Sequence, residues 1–162
     1  MNPSRVAAFR AGGVACAADP ADVEKVLRPG SLLPAPGAPG WIAGLVSGPR
    51  GLLAVLDVGR RLFPSREGGP PRDLLAGTFD GIPVALGADE VEGILPVEEA
   101  EAPPPEGLAP SVSACLKGVV VAGGERRLLL DVRLLASGGA AAAAAAAAQI
   151  ESETTERRDQ SS

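Results

Sequence analysis

Apolar residues along this chain come in short runs, mostly four to six long, separated by clusters of glycine, proline and aspartate. That spacing predicts many short strands and few helices, the pattern of a small barrel or sandwich. Residues 6–9 and 14–18 read as a hairpin turning through Ala11-Gly12-Gly13, because paired glycines supply the positive φ angles of a tight turn. A short helical turn is expected next. Asp19 can cap it, Pro20 fits its first position, and Val23, Val26 and Leu27 share one helical face before Pro29-Gly30 ends it. Residues 28–40, rich in proline and glycine, read as an extended connection. Residues 42–46 and 52–56 form a second hairpin around Ser47-Gly48-Pro49-Arg50-Gly51, with Arg50 at or near its tip. Asp57 then caps a short helix over 58–63, and the polar stretch 65–72 is expected to be the most mobile internal loop.

The second half has the same style. Residues 74–79, 82–88 and 91–97 read as strands, the first two joined by Asp80-Gly81, a strong hairpin signal. After an acidic, proline-rich connection over 98–110, strands at 113–122 and 127–131 flank Gly123-Gly124-Glu125, and 132–136 closes as a short helix. The count is nine to ten strands, in two halves of similar strand content with no internal sequence repeat. Beyond Ser137 come Gly138-Gly139, nine alanines from Ala140 to Ala148, and a polar stretch to Ser162. Alanine favours helix, but an isolated run of this length is marginal in water. The reading is therefore one domain over 5–136, followed at 137–162 by an Ala-rich segment and a disordered polar tail.

Composition narrows the chemistry. With no histidine, the commonest general base and the commonest metal ligand are missing, and no metal or cofactor site is expected. No phosphate-binding glycine loop or nucleophile elbow is present. The acidic pairs Asp89-Glu90 and Glu98-Glu99 are neighbours in sequence, so on a strand they point to opposite faces and cannot share a proton. Cys16 and Cys115 are far apart and lack an activating base, so buried thiols in a reducing cytosol are expected. The net charge is −5 with scattered basic residues, which argues against nucleic acid as a partner. No run approaches the length of a membrane span, and a cytoplasmic location is expected. The chain reads as a binding or scaffolding module, not an enzyme.

Three strings, in order, resemble one family: the CheW-like coupling proteins of bacterial chemosensory systems. The first is Phe9 through Gly12 to Val23-Glu24-Lys25-Val26-Leu27-Arg28-Pro29, continuing through Pro34-Ala35-Pro36-Gly37-Ala38-Pro39-Gly40-Trp41-Ile42-Ala43-Gly44-Leu45-Val46. The second is Arg50-Gly51-Leu52-Leu53-Ala54-Val55-Leu56-Asp57-Val58, similar to the family's Arg-Gly signature. The third joins Gly87-Ala88-Asp89-Glu90-Val91-Glu92-Gly93-Ile94-Leu95 to the closing Leu128-Leu129-Leu130-Asp131-Val132. The sequence departs from the family at Ser47-Gly48-Pro49, which adds a residue before Arg-Gly, at Ala54 in place of proline, and at Lys25 in place of glutamate.

The resemblance implies an all-β fold of two five-stranded, SH3-like barrels that share a core and leave an apolar groove between them. It implies a non-enzymatic adaptor, without cofactors, that couples the cytoplasmic tip of a chemoreceptor to the regulatory domain of a CheA-type histidine kinase, recruited to membrane or cytosolic receptor arrays. Val23, Lys25, Val26, Leu45, Val46, Arg50 and Gly51 are the nearest matches to the partner-binding surface. Two other readings stand beside it. A divergent member could bind only receptor or only kinase and modulate or cap the array, or an unrelated small β-barrel could bind a ligand or peptide.

Overall fold

The computed structural model describes residues 4–49 and 51–137. Arg50, and all of the segment 137–162 except Ser137, lie outside the described residues. The strands are β1 (Arg5–Ala11), β2 (Val14–Ala18), β3 (Val23–Leu27), β4 (Ile42–Gly48), β5 (Gly51–Asp57), β6 (Asp73–Phe79), β7 (Ile82–Ala88), β8 (Glu90–Pro96), β9 (Leu116–Ala122) and β10 (Glu125–Leu130). Three short helices, α1 (Val58–Leu62), α2 (Pro110–Ser113) and α3 (Val132–Ala136), punctuate them. The turns Gly12-Gly13, Asp80-Gly81 and Gly123-Gly124 all have positive φ at both positions, the geometry that matches a two-residue connection to the twist of its strands.

The strands form two five-stranded sheets, ordered β8-β1-β2-β10-β9 and β3-β6-β7-β5-β4. Each closes on itself through the chain that follows its outermost strand. In the first, residues 98–102 return along β9: the Glu98 N–H donates to the Val121 carbonyl at 2.7 Å and the Ala102 N–H to the Val119 carbonyl at 2.8 Å. In the second, Leu33 exchanges hydrogen bonds with Leu45 of β4, at 2.9 and 2.7 Å. The closure needs Gly44, whose φ is +152° and where a Cβ would lie 2.6 Å from the Leu33 carbonyl oxygen.

The two halves of similar strand content repeat one another in structure. Val26 pairs with Leu75 as Ile94, 68 positions on, pairs with Ala7, and β3 and β8 each carry a register shift at their glutamate, Glu24 and Glu92. In the same way β4 and β5 pair Ile42 with Leu56 and Gly44 with Val55, matching Leu116 with Leu130 and Gly118 with Leu129 in β9 and β10. Residues 5–28 thus correspond to 73–96, and 42–62 to 116–136, without a gap. The signature is faint in sequence, Val23-Glu24-Lys25-Val26-Leu27 against Val91-Glu92-Gly93-Ile94-Leu95, because most corresponding positions share only size and polarity. Each half pairs its third strand with the first strand of the other half: β3 with β6, and β8 with β1.

Central strands are buried on both faces, which is why they read as unbroken apolar runs. In β2, Cys16 and Ala18 join the core shared by the two barrels, while Ala17 faces its own barrel's interior with Val6, Val120 and Leu129. In β5, Ala54 and Leu56 join the shared core and Val55 the second barrel's interior with Leu74, Ala76 and Ala85. Phe9, Leu45, Phe79, Leu86 and Leu130 complete the shared layer.

Two element assignments differ from expectation. Residues 23–27 form strand β3, not a continuation of the helical turn, which is confined to a 3-10 turn at Pro20–Asp22 capped by Asp19. Pairing with β6 overrides the helical spacing of Val23, Val26 and Leu27, and Gly77 permits it: a Cβ there would lie 2.0 Å from the Asp22 carbonyl oxygen. The expected strand over 113–122 begins only at Leu116, because Pro110 starts the one-turn helix α2.

Candidate partner-binding surface

Strand β3 lies at one end of its sheet, paired only with β6. Alternation fixes what each residue offers. Val23 packs against the shared core and Leu27 against the second barrel's interior. Lys25 is exposed, and Val26 is 51% exposed, unusual for a valine on a strand. Leu33, on the segment that closes this barrel onto β4, is 46% exposed. Val26 and Leu33 are thus two exposed apolar side chains on consecutive parts of the chain.

The residues expected on β4 and β5 divide differently. Leu45 is fully buried in the shared core, so it supports β4 from within and has no surface for a partner. Val46 is half-buried against the second barrel's interior. Gly51 pairs with Gly48, and its φ of +126° favours glycine. Closure through Leu33 and Leu45 pairs β3's continuation with β4.

Three exposed apolar residues were not expected. Two are Leu33 and, on α3, Leu134. The third is Ile94 on β8, 51% exposed and the counterpart of Val26 in the first barrel. The shared pattern valine-glutamate-any-branched-leucine at 23–27 and 91–95 is the signal that would have found it.

The junction between the barrels is charged on one side. A cleft of about 530 Å3 is lined by Arg10, Arg28, Arg72, Asp73, Asp89, Glu90 and Val91. Asp73 accepts the Val91 N–H at 2.9 Å and Asp89 accepts the Gly13 N–H at 2.9 Å, so both carboxylates anchor backbone. Just inside the first barrel, Arg127 is 1% exposed; it donates to the Ala122 carbonyl at 2.9 Å and to Glu92 at 2.8 Å. The hydrogen bond from Arg127 holds the Glu92 carboxyl below its ordinary range, against the opposing effect of burial. Arg10 completes the cluster through Glu125.

Burial pushes the Cys16 thiol up to about 12, so it stays protonated and unreactive. Asp57 and Asp131 cap α1 and α3, accepting the Arg60 and Leu134 N–H groups at 3.1 and 3.2 Å. Among the described residues no cluster of three or more metal-ligating side chains occurs, and no helix is long and apolar enough to cross a membrane.

A sequence model described as the CheW-like domain matches residues 5–139, spanning both barrels. The chain belongs to the CheW-like family. Such chains are chemotaxis scaffolding and adaptor proteins that act through protein–protein interaction. The CheW-like fold is also that of a solved structure, "scaffolding protein TtCheW" from Thermoanaerobacter tengcongensis, at a TM-score of 0.69 and 19% identity, covering 83% of this chain and 93% of that one. No curated protein matches by sequence.

Proposed function

We propose that this CheW-like chain couples the cytoplasmic tips of chemoreceptors to the regulatory domain of a CheA-type histidine kinase, binding both at once and carrying out no catalysis. The observation that carries the reading is the family match across both barrels together. Simultaneous binding needs two separate faces, and the duplicated fold supplies them: β3 on the second barrel and β8 on the first, each with one exposed branched apolar side chain. Lys25 and Val26 are the proposed receptor contacts on β3, with Val23, Leu45 and Val46 supporting them from within, and Arg50 and Gly51 are added from the Arg-Gly signature. The adaptor works in the cytoplasm and is recruited to receptor arrays.

Titration of the purified chain against the kinase regulatory domain and, separately, against a receptor cytoplasmic hairpin tests this. Binding to each, and a ternary complex with both, is the expected result. Binding to the receptor alone makes the chain a one-partner modulator, a reading that the departures at Lys25 and Ser47-Gly48-Pro49 favour. Binding to neither overturns the assignment.

A further inference from the structure

Neither barrel belongs to one half of the chain. The first takes β1 and β2 from the first half and β8, β9 and β10 from the second; the other takes β3, β4 and β5 from the first half and β6 and β7 from the second. Four strand pairs join the halves: β1 with β8, β2 with β10, β3 with β6, and β5 with β7. A half alone would leave both faces of these strands in water. Polar contacts match one half to the other as well: Arg10 reaches Glu125 at 2.5 Å, the Gly13 N–H reaches Asp89, and Arg61 Nε donates to the Leu135 carbonyl at 2.9 Å. If two first halves paired together, Gly51 would stand in place of Glu125 and Ala21 in place of Asp89, so the complementary half is the preferred partner.

The covalent crossing between the halves is short and loosely held. Arg66 belongs to the first half, donating to the Gly12 carbonyl at 2.7 Å and stacking on Phe63 at 4.3 Å. Pro71 and Arg72 belong to the second, Pro71 buried beside Gly87 and the Arg72 N–H on the Ala88 carbonyl. Between them Glu67, Gly68, Gly69 and Pro70 are exposed, and a methyl group added at either glycine would meet nothing within 4 Å.

We propose that the interface between the halves also operates between copies of this chain: residues 5–66 of one copy pair with residues 71–136 of another, and the reciprocal halves pair likewise. The product is a dimer of two complete two-barrel bodies, in which every contact of the monomer is kept and only residues 67–70 change course. Closure within one chain competes at an effective concentration of about millimolar, so the native chain is mainly monomeric at micromolar concentration. Whatever prevents residues 67–70 from spanning the gap shifts the balance to the exchanged dimer, which displays two adaptor surfaces on one particle.

Two variants of the full chain test this. Deleting residues 67–70 places Arg66 next to Pro71, about 3.8 Å between Cα atoms. The variant is expected to be a folded dimer by size-exclusion chromatography with light scattering, with thermal unfolding close to that of the native chain, and to return to monomer when four glycines replace the deleted residues. A folded monomer after deletion, or a dimer that persists with the glycine linker, overturns the proposal. In the second variant a protease site replaces 67–70. After cleavage the halves are expected to remain together at the monomer's mass; their separation at micromolar concentration overturns the proposal independently of how the deletion variant folds.

Discussion

Arg127 stands on β10 where the duplicated strand β5 has Leu53. A buried cation is costly unless its donors are satisfied, and here Glu92 and the Ala122 carbonyl do so. Glu92→Ala leaves the guanidinium with the Ala122 and Cys16 carbonyls and the more distant Glu125, and is expected to cost about 1–3 kcal/mol. Arg127→Leu removes the charge and its need for a partner together, restoring the second barrel's solution, and is expected to fall within about 1 kcal/mol of the native chain. Urea unfolding of both variants checks the contrast. The same pair sets a pH dependence. Because Glu92 is held below its ordinary range in the folded state, its stabilisation is present above the unfolded value and is lost as pH falls through the folded one. Glu92→Gln should flatten that acid limb of the urea midpoint. Asp57 shows the opposite direction: burial raises its carboxyl, although the N–H and charge of Arg60 oppose the shift. Its contribution is therefore fully present below the unfolded value and declines as pH rises through the folded one. Asp57→Asn keeps the cap and removes the buried charge, so at neutral pH it should be at least as stable as the native chain, whereas Asp57→Ala should lose about 0.5–2 kcal/mol of thermal or urea stability.

Strands and turns show what could be read from the chain alone. Apolar runs bounded by Gly12-Gly13, Asp80-Gly81 and Gly123-Gly124 marked their hairpins, because such turns impose a local requirement that few residues meet. Strand β3 was hidden by a genuine local preference: Asp19 and Pro20 do start a turn, and only the partner strand β6, some fifty residues away, makes 23–27 extended. Ile94 and Leu33 were hidden because their exposure depends on which strand covers them, and Leu45 could not be told from a surface residue by alternation when both faces of a strand are apolar. Corresponding glycines in the two barrels also have different duties. Gly44→Ala places a methyl group 2.6 Å from the Leu33 carbonyl at a φ of +152°, and should cost at least about 1 kcal/mol. Gly118→Ala meets nothing within 4 Å and should be near neutral. Amide hydrogen exchange at Leu33 and Leu45 is expected to accelerate in the first variant alone.

At the scale of the whole molecule, duplication makes surface predictions come in pairs. Val26→Asp and Ile94→Asp alter side chains already half in water, so each should leave unfolding within about 0.5 kcal/mol of the native chain. If β3 faces the receptor, Val26→Asp should weaken receptor-hairpin binding at least about tenfold, equivalent to 1.4 kcal/mol, with kinase-domain binding less affected; isothermal titration against each partner separates the two. The order of strands along the chain has a further consequence, for synthesis. The second barrel uses β3 to β7, an uninterrupted stretch that is complete once residue 88 has been made. The first needs β1 and β2 from the beginning and β10 from the end, so it cannot close before residue 130. During that interval the opening hairpin, apolar on both faces, has only the finished neighbour to shelter against. A growing chain of this protein therefore passes through a stage with one barrel complete and β1 and β2 still waiting for β10.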